Sequence, residues 1–84
     1  MHFVYILRCI DGSLYTGYTT NVKNRLRTHN AGKGAKYTRG RRPVSLVYFK
    51  RVDSKSLGLK LESRIKKLNK KEKEALVYAN QLRK

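Results

Sequence analysis

The sequence predicts an α+β fold in which helices pack on a small, mainly antiparallel sheet of three strands. Two short segments rich in β-branched and aromatic residues flank the turn signal Asp11-Gly12, which is typical of a β-hairpin. A third such segment follows Pro43, and segments with apolar residues at helical spacing lie between and after the strands. The predicted order is therefore strand, strand, helix, strand, helix, helix (β-β-α-β-α-α).

The hairpin covers residues 2–10 and 13–18. If its loop consists of Ile10, Asp11 and Gly12, the numbers of paired residues add up to an even number, and Tyr5 and Tyr15 then lie on the same face of the sheet. A first helix of about ten residues follows and ends before Gly32. Its candidate N-caps are Thr19, Thr20 and Asn21.

A basic loop is predicted for residues 33–42 and a third strand for residues 44–52. The candidate caps of the long helix that follows are Asp53, Ser54 and Ser56. Its core-facing stripe consists of Leu57, Leu61, Ile65 and Leu68. Asn69 and a cluster of lysines interrupt this pattern. A last helix is then predicted from Ala75, Leu76, Ala79 and Leu82.

Length and charge limit the class of protein. The 84 residues fit one small domain over residues 1–84, and 39% hydrophobic residues suffice for one core. Lys and Arg number 21 against 5 Asp and Glu, which gives a net charge of +16. Such a charge favours a polyanionic partner. Nucleic acid is favoured over a membrane because the basic residues are spread along the whole chain.

Several classes are excluded. The single cysteine, Cys9, forms no internal disulfide, and His2 and His29 lie too far apart in sequence for a Cys/His zinc cluster. Cys9 is expected to be a small buried hydrophobic residue. No apolar run approaches the roughly 20 residues that span a bilayer, and Arg8 and Asp11 interrupt the N-terminal segment too early for a signal peptide. The sequence predicts a soluble cytoplasmic protein.

The acidic residues are few enough to consider one by one. Four of them suit a turn, a helix start and the balancing of charge among lysines, and these are Asp11, Asp53, Glu72 and Glu74. Glu62 remains, on the core-facing helix. It is either the partner of Lys66 in an i,i+4 ion pair or a residue with a chemical role.

Further candidates lie in the hairpin and the first helix. Arg25 and His29 are four residues apart and share one helix face, which is either part of a site or an exposed basic face. Tyr5 and Tyr15 are either site residues or core tyrosines.

Together these residues resemble the GIY-YIG nuclease superfamily, most closely its small stand-alone bacterial members. The motifs are Val4-Tyr5-Ile6 and Tyr15-Thr16-Gly17, followed by Arg25 in a helix and Glu62 in a later helix. The resemblance extends from Phe3 to about Lys73. Phe3-Val4-Tyr5 replaces GIY and Thr16 replaces the Ile of YIG, but both tyrosines and the glycine are retained.

The resemblance implies a metal-dependent DNA endonuclease that hydrolyses phosphodiester bonds in DNA repair or recombination. It implies Tyr5 as the general base and Tyr15 as the group that orients water or phosphate, and these two roles are interchangeable. Arg25 and His29 would act as electrostatic and proton-handling groups, and Glu62 would hold one divalent metal ion, Mg²⁺ or Mn²⁺. Arg25, a basic neighbour and the metal are expected to make the phenolate of Tyr5 accessible.

The predicted partner is DNA, and branched and damaged DNA are among the expected substrates. Phosphate contacts are expected from the basic loop, through Lys33, Lys36, Arg39, Arg41 and Arg42. The alternative is a non-catalytic nucleic-acid-binding module in which the same loop and sheet hold phosphate. A structural ribosome-associated protein is a third possibility, because composition alone permits it.

Overall fold

The computed structural model describes residues 1–82 and has the predicted α+β architecture. Residues 83 and 84 of the predicted domain lie outside the described residues. The elements are β1 (His2–Arg8), β2 (Leu14–Thr19), α1 (Val22–Asn30), α2 (Lys36–Arg39), β3 (Ser45–Val52), α3 (Lys55–Lys66) and α4 (Lys70–Leu82). No helix within residues 1–82 combines the length and the apolar character needed to cross a membrane.

The three strands form one antiparallel sheet in the order β2-β1-β3. In the hairpin, the Cys9 amide donates to the Ser13 carbonyl at 2.8 Å and the Gly12 amide donates to the Cys9 carbonyl at 2.9 Å. The loop therefore has the three residues predicted, and Gly12 adopts the positive φ of 85° that such a loop requires of its last residue. Tyr5 pairs with Gly17, so Tyr5 and Tyr15 lie on the same face, as predicted.

The middle strand β1 is paired along both edges, and side chains pack on both of its faces. The core between the sheet and helices α3 and α4 is formed by Val4, Ile6, Leu14, Tyr48, Ile65 and Val77. The core on the other face is formed by Tyr5, Leu7, Cys9 and Val44, with Leu26 of α1 packed against it. Cys9 is buried and free, as expected.

Helix α1 begins as predicted, since the side chain of Asn21 accepts a hydrogen bond from the Asn24 amide at 3.0 Å. The basic segment after it is not wholly a loop, because residues 36–39 form the single-turn helix α2. The Thr38 hydroxyl closes this turn by donating to the Ala35 carbonyl at 2.9 Å. One turn is too short to produce a helical period in a sequence.

Helix α3 is capped by Ser54, whose hydroxyl accepts from the Leu57 amide at 3.1 Å. The predicted stripe is wrong at two positions, since Leu68 lies beyond the end of the helix at Lys66 and Leu57 does not face the core. Leu57 is 49% exposed, whereas Gly58 is buried. A Cβ atom at Gly58 would lie 2.8 Å from the ring of Tyr18, so the missing side chain allows the helix to approach β2 closely.

Two acidic residues have structural partners that the sequence did not reveal. Helix α4 begins at Lys70, earlier than predicted, because Asn69 and Glu72 form a capping box. The Glu72 amide donates to the Asn69 side chain at 2.8 Å, and the Asn69 amide donates to the Glu72 carboxylate at 3.0 Å. Glu74 accepts two hydrogen bonds from Arg8, at 2.7 and 2.8 Å, and ties α4 to β1. The expectation that both were solvated charge balancers was wrong.

Candidate active site

Three of the candidate side chains meet on the α1 side of the sheet. The Tyr5 hydroxyl lies 2.9 Å from Nε2 of His29, within hydrogen-bond distance. The ring centroids are 6.5 Å apart for Tyr5 and Tyr15 and 5.3 Å apart for Tyr15 and His29. The hairpin register and helix α1 thus bring residues from three separate parts of the sequence into one cluster.

Two glycines leave room for these rings. Gly17 lies across the ladder from Tyr5, and a Cβ atom there would overlap the Tyr5 hydroxyl. Gly34 lies against His29, and a Cβ atom there would overlap the imidazole. The glycine of the second motif therefore has a local physical reason, which is the close approach of the backbone to the phenol.

Burial controls the ionisation of Tyr5. It raises the pKa of the phenol above the ordinary value of 10.0. The charge and hydrogen bonding of Arg25 act in the opposite direction, and the charges of Tyr15 and Glu62 add to the increase. Arg25 thus works in the direction expected from the sequence, but desolvation outweighs it. The phenol is neutral at pH 7 and is a hydrogen-bond donor.

His29 is fully buried, and burial together with the neighbouring charge of Arg25 lowers its pKa below 6.5. The imidazole is therefore neutral at pH 7 and has one nitrogen free to accept a proton. Nε of Arg25 is buried and has no hydrogen-bond partner among residues 1–82. An unpartnered buried donor is costly, and a phosphate oxygen would satisfy it.

Of the two roles considered for Glu62, the structure shows the ion pair. Its carboxylate lies 3.1 Å from Nζ of Lys66, so the i,i+4 ion pair is present. Its side chain is only 17% exposed, and its charge acts on the phenol of Tyr5. Within residues 1–82, no three His, Cys, Asp or Glu side chains group as a metal site. A single carboxylate fits Mg²⁺, which keeps several waters and also takes phosphate oxygens as ligands.

The five basic residues predicted to bind phosphate fall into two groups. The Arg41 guanidinium donates to the carboxylate of Asp11 at 3.1 Å and to the carbonyl of Tyr37 at 2.8 Å, and it lies 4.1 Å from the centroid of the Tyr37 ring. Arg42 donates to the carbonyl of Arg39 at 2.9 Å. These two arginines support the fold of the segment. The side chains of Lys33, Lys36 and Arg39 are exposed and form neither an ion pair nor a hydrogen bond with the described residues.

Two neighbours of the cluster were not identified from the sequence. The ring of Tyr37 stacks on that of Tyr15, with centroids 6.0 Å apart and planes at 27°. Thr38 is fully buried, and its hydroxyl lies 2.8 Å from Nδ1 of His29. Both lie on the single-turn helix α2, and the only signal in the sequence was a Tyr-Thr pair among basic residues.

A family model described as the GIY-YIG catalytic domain matches residues 1–75. The chain belongs to the GIY-YIG family. The matched residues include both tyrosines, Arg25, His29 and Glu62, so the family assignment covers the whole cluster.

Relatives of similar size support this assignment. A UPF0213 protein of Natronomonas pharaonis is 58% identical over 76 residues, which cover 90% of this chain and 89% of that protein. The solution NMR structure of a UPF0213 protein from Bacillus halodurans matches with a TM-score of 0.61 and 51% identity, covering 93% of this chain and 83% of that one. The NMR structure of an E. faecalis protein matches with a TM-score of 0.65 and 44% identity, covering 96% and 86%.

Proposed function

We propose that the chain is a single-domain, metal-dependent GIY-YIG endonuclease that hydrolyses phosphodiester bonds of DNA. The observation that carries this proposal is the contact between the Tyr5 hydroxyl and Nε2 of His29 at 2.9 Å, next to the unpartnered Nε of Arg25. A neutral phenol, a neutral imidazole and a guanidinium with a free buried donor suit water activation and phosphate binding.

In this mechanism, the attacking water gives a proton to the Tyr5 oxygen while the phenol gives its own proton to Nε2 of His29. The two transfers avoid a free phenolate, which burial disfavours. The water oxygen forms the new bond to phosphorus, the bond to the leaving oxygen breaks, and solvent protonates that oxygen. Tyr15 packs against His29 and orients the water or the phosphate.

Arg25 binds the scissile phosphate through its unpartnered Nε–H, and it stabilises the charge that develops in the transition state. Glu62 would hold the divalent cation, Mg²⁺ or Mn²⁺, in place of Lys66. When bound, this cation supplies positive charge at the phosphate oxygens. The exposed cations of the basic segment hold the flanking backbone through Lys33, Lys36 and Arg39.

The cellular role that we propose is DNA repair or recombination in the cytoplasm, on branched or damaged DNA. The cluster of Tyr5, Tyr15 and His29 lies on one face of the sheet, with the exposed basic segment beside it. This arrangement suits a DNA strand whose backbone departs from the regular duplex. Base-specific readout is not required for such a substrate.

The test is cleavage of a panel of linear, nicked, flapped and four-way DNAs, with and without Mg²⁺ or Mn²⁺. We expect metal-dependent cleavage by the wild type and its loss in Tyr5→Phe. Tyr78→Phe is the matched control, since Tyr78 is 64% exposed on α4, and it should cleave normally. Binding of every DNA without cleavage under any metal condition would instead favour the non-catalytic binding module.

A further inference from the structure

The buried hydroxyl of Thr38 ends a chain of hydrogen bonds that begins at the phenol of the site. Its oxygen lies 2.9 Å from the carbonyl oxygen of Ala35 and 2.8 Å from Nδ1 of His29. The other imidazole nitrogen, Nε2, lies 2.9 Å from the Tyr5 hydroxyl. Thr38 and His29 are both fully buried, so protein groups are their principal hydrogen-bonding neighbours.

The direction of each bond follows from the hydrogens available. A carbonyl oxygen carries no hydrogen, so a hydroxyl oxygen at 2.9 Å from it must donate its own. The hydroxyl of Thr38 has one hydrogen, and it is therefore used at Ala35. The contact with Nδ1 of His29 then requires a hydrogen on that nitrogen. In a neutral imidazole, Nε2 consequently carries none and accepts from Tyr5.

We infer that Thr38 is a positioning residue that fixes the imidazole of His29 in the tautomer with hydrogen on Nδ1, so that Nε2 is the proton acceptor for Tyr5. This inference rests on the proposed function for its catalytic meaning, but the tautomer itself is a property of the protein without DNA. The opposite tautomer would place a hydrogen on Nε2 and the lone pair on Nδ1, which faces Thr38, so Nε2 could not receive the phenolic proton.

Other features hold the same arrangement. Gly34 packs against the imidazole, and a Cβ atom there would overlap it. Thr38 lies on α2, where its amide also bonds to the Ala35 carbonyl at 3.1 Å. Helix α2 therefore places the Thr38 hydroxyl oxygen next to Nδ1 of His29, while the hydrogen of that hydroxyl is bonded to the Ala35 carbonyl.

The test measures the imidazole nitrogen chemical shifts of His29 by NMR near pH 7.5, together with DNA cleavage. We expect hydrogen on Nδ1 in the wild type. Thr38→Val, which keeps the shape and removes the acceptor, should move the population toward hydrogen on Nε2. It should lower cleavage at least tenfold, which is part of the roughly 10²–10⁴-fold that an acid–base group contributes. Thr38→Ser should restore both.

Thr16→Val is the matched control, because Thr16 is buried in strand β2 and its hydroxyl has no hydrogen-bond partner among the described residues. It should leave the nitrogen shifts of His29 and the cleavage rate unchanged. His2, whose Nδ1 bonds to the Tyr18 hydroxyl at 2.6 Å, is an internal reference whose shifts should stay constant in Thr38→Val.

Hydrogen on Nε2 in the wild type would overturn the inference without the need for any variant, even if Thr38→Val does not fold. An unchanged tautomer or an unchanged cleavage rate in a folded Thr38→Val protein would also overturn it. If the wild type cleaves no DNA, the proposed function fails, while the nitrogen shifts still decide whether Thr38 sets the tautomer.

Discussion

The substitution Glu62→Gln separates the metal-ligand role of this carboxylate from its structural role. The amide keeps the shape of the side chain but loses the charge that holds a cation. The only ion pair lost among the described residues is that with Lys66, whose side chain is 53% exposed. An exposed i,i+4 pair contributes about 0.3–0.5 kcal/mol to the free energy of unfolding. Because about 1 kcal/mol shifts the melting temperature of a small domain by roughly 4–8 °C, Tm should fall by only about 1–4 °C.

DNA binding should respond in the opposite direction. Removing one carboxylate raises the net charge from +16 to +17, so affinity for DNA in the absence of metal should stay equal or increase slightly. Metal-dependent cleavage should be lost. The three measurements are the cleavage rate on the best substrate of the DNA panel, the affinity for the same DNA in EDTA, and Tm.

Glu74→Gln is the control for charge and stability. It makes the same change of charge and removes one of the two acceptors that Glu74 offers to Arg8, in a pair whose side chains are 35% and 34% exposed. The cost should be up to about 1 kcal/mol, at least as large as for Glu62→Gln. Glu74→Gln should nevertheless cleave DNA at the wild-type rate. The reasoning is refuted if Glu62→Gln keeps wild-type cleavage, or if both variants lose cleavage to the same extent.

Three further outcomes follow from the structure. Gly17→Ala should displace the Tyr5 ring, since the added Cβ atom would overlap the phenol. It should therefore lower the cleavage rate in a protein that is still folded at the assay temperature. A cleavage rate close to that of the wild type would contradict this. Stability should decrease as pH falls below about 6.5, because the folded state holds the pKa of His29 below that value. The unfolded chain then binds the proton more readily than the folded protein does, which favours unfolding. A flat Tm between pH 7 and 5 would argue against this. Affinity for DNA should fall steeply with salt in the wild type, and the slope of log affinity against log salt should flatten when glutamine replaces the exposed cations Lys33, Lys36 and Arg39.

The sequence predicted the sheet and the shared face of the two tyrosines because local rules determine both. The Asp11-Gly12 turn sets the register of the hairpin, and alternation along the strands then determines which side chains are neighbours. The i,i+4 spacing of Arg25 and His29 likewise follows from helix geometry.

What the sequence did not reveal depends on contacts between distant segments. Burial decides the pKa of Tyr5, and burial depends on how α1 and α2 close over the sheet. The single turn of α2 has no period to detect, so the contact of Thr38 with His29 was not predicted. Glu74 is 66 residues from its partner Arg8, and no local pattern connects them.

Consecutive residues of β1 face opposite sides of the sheet, so substitutions at neighbouring positions have different consequences. Val4 and Ile6 lie in the core beneath α3 and α4. Substitutions there reduce the amount of folded protein and thereby any activity that depends on it. Tyr5 lies between them and faces the opposite side of the sheet, where it meets His29. A screen for protein abundance and a screen for DNA processing would therefore agree at Val4 and Ile6 and disagree at a substitution such as Tyr5→Phe.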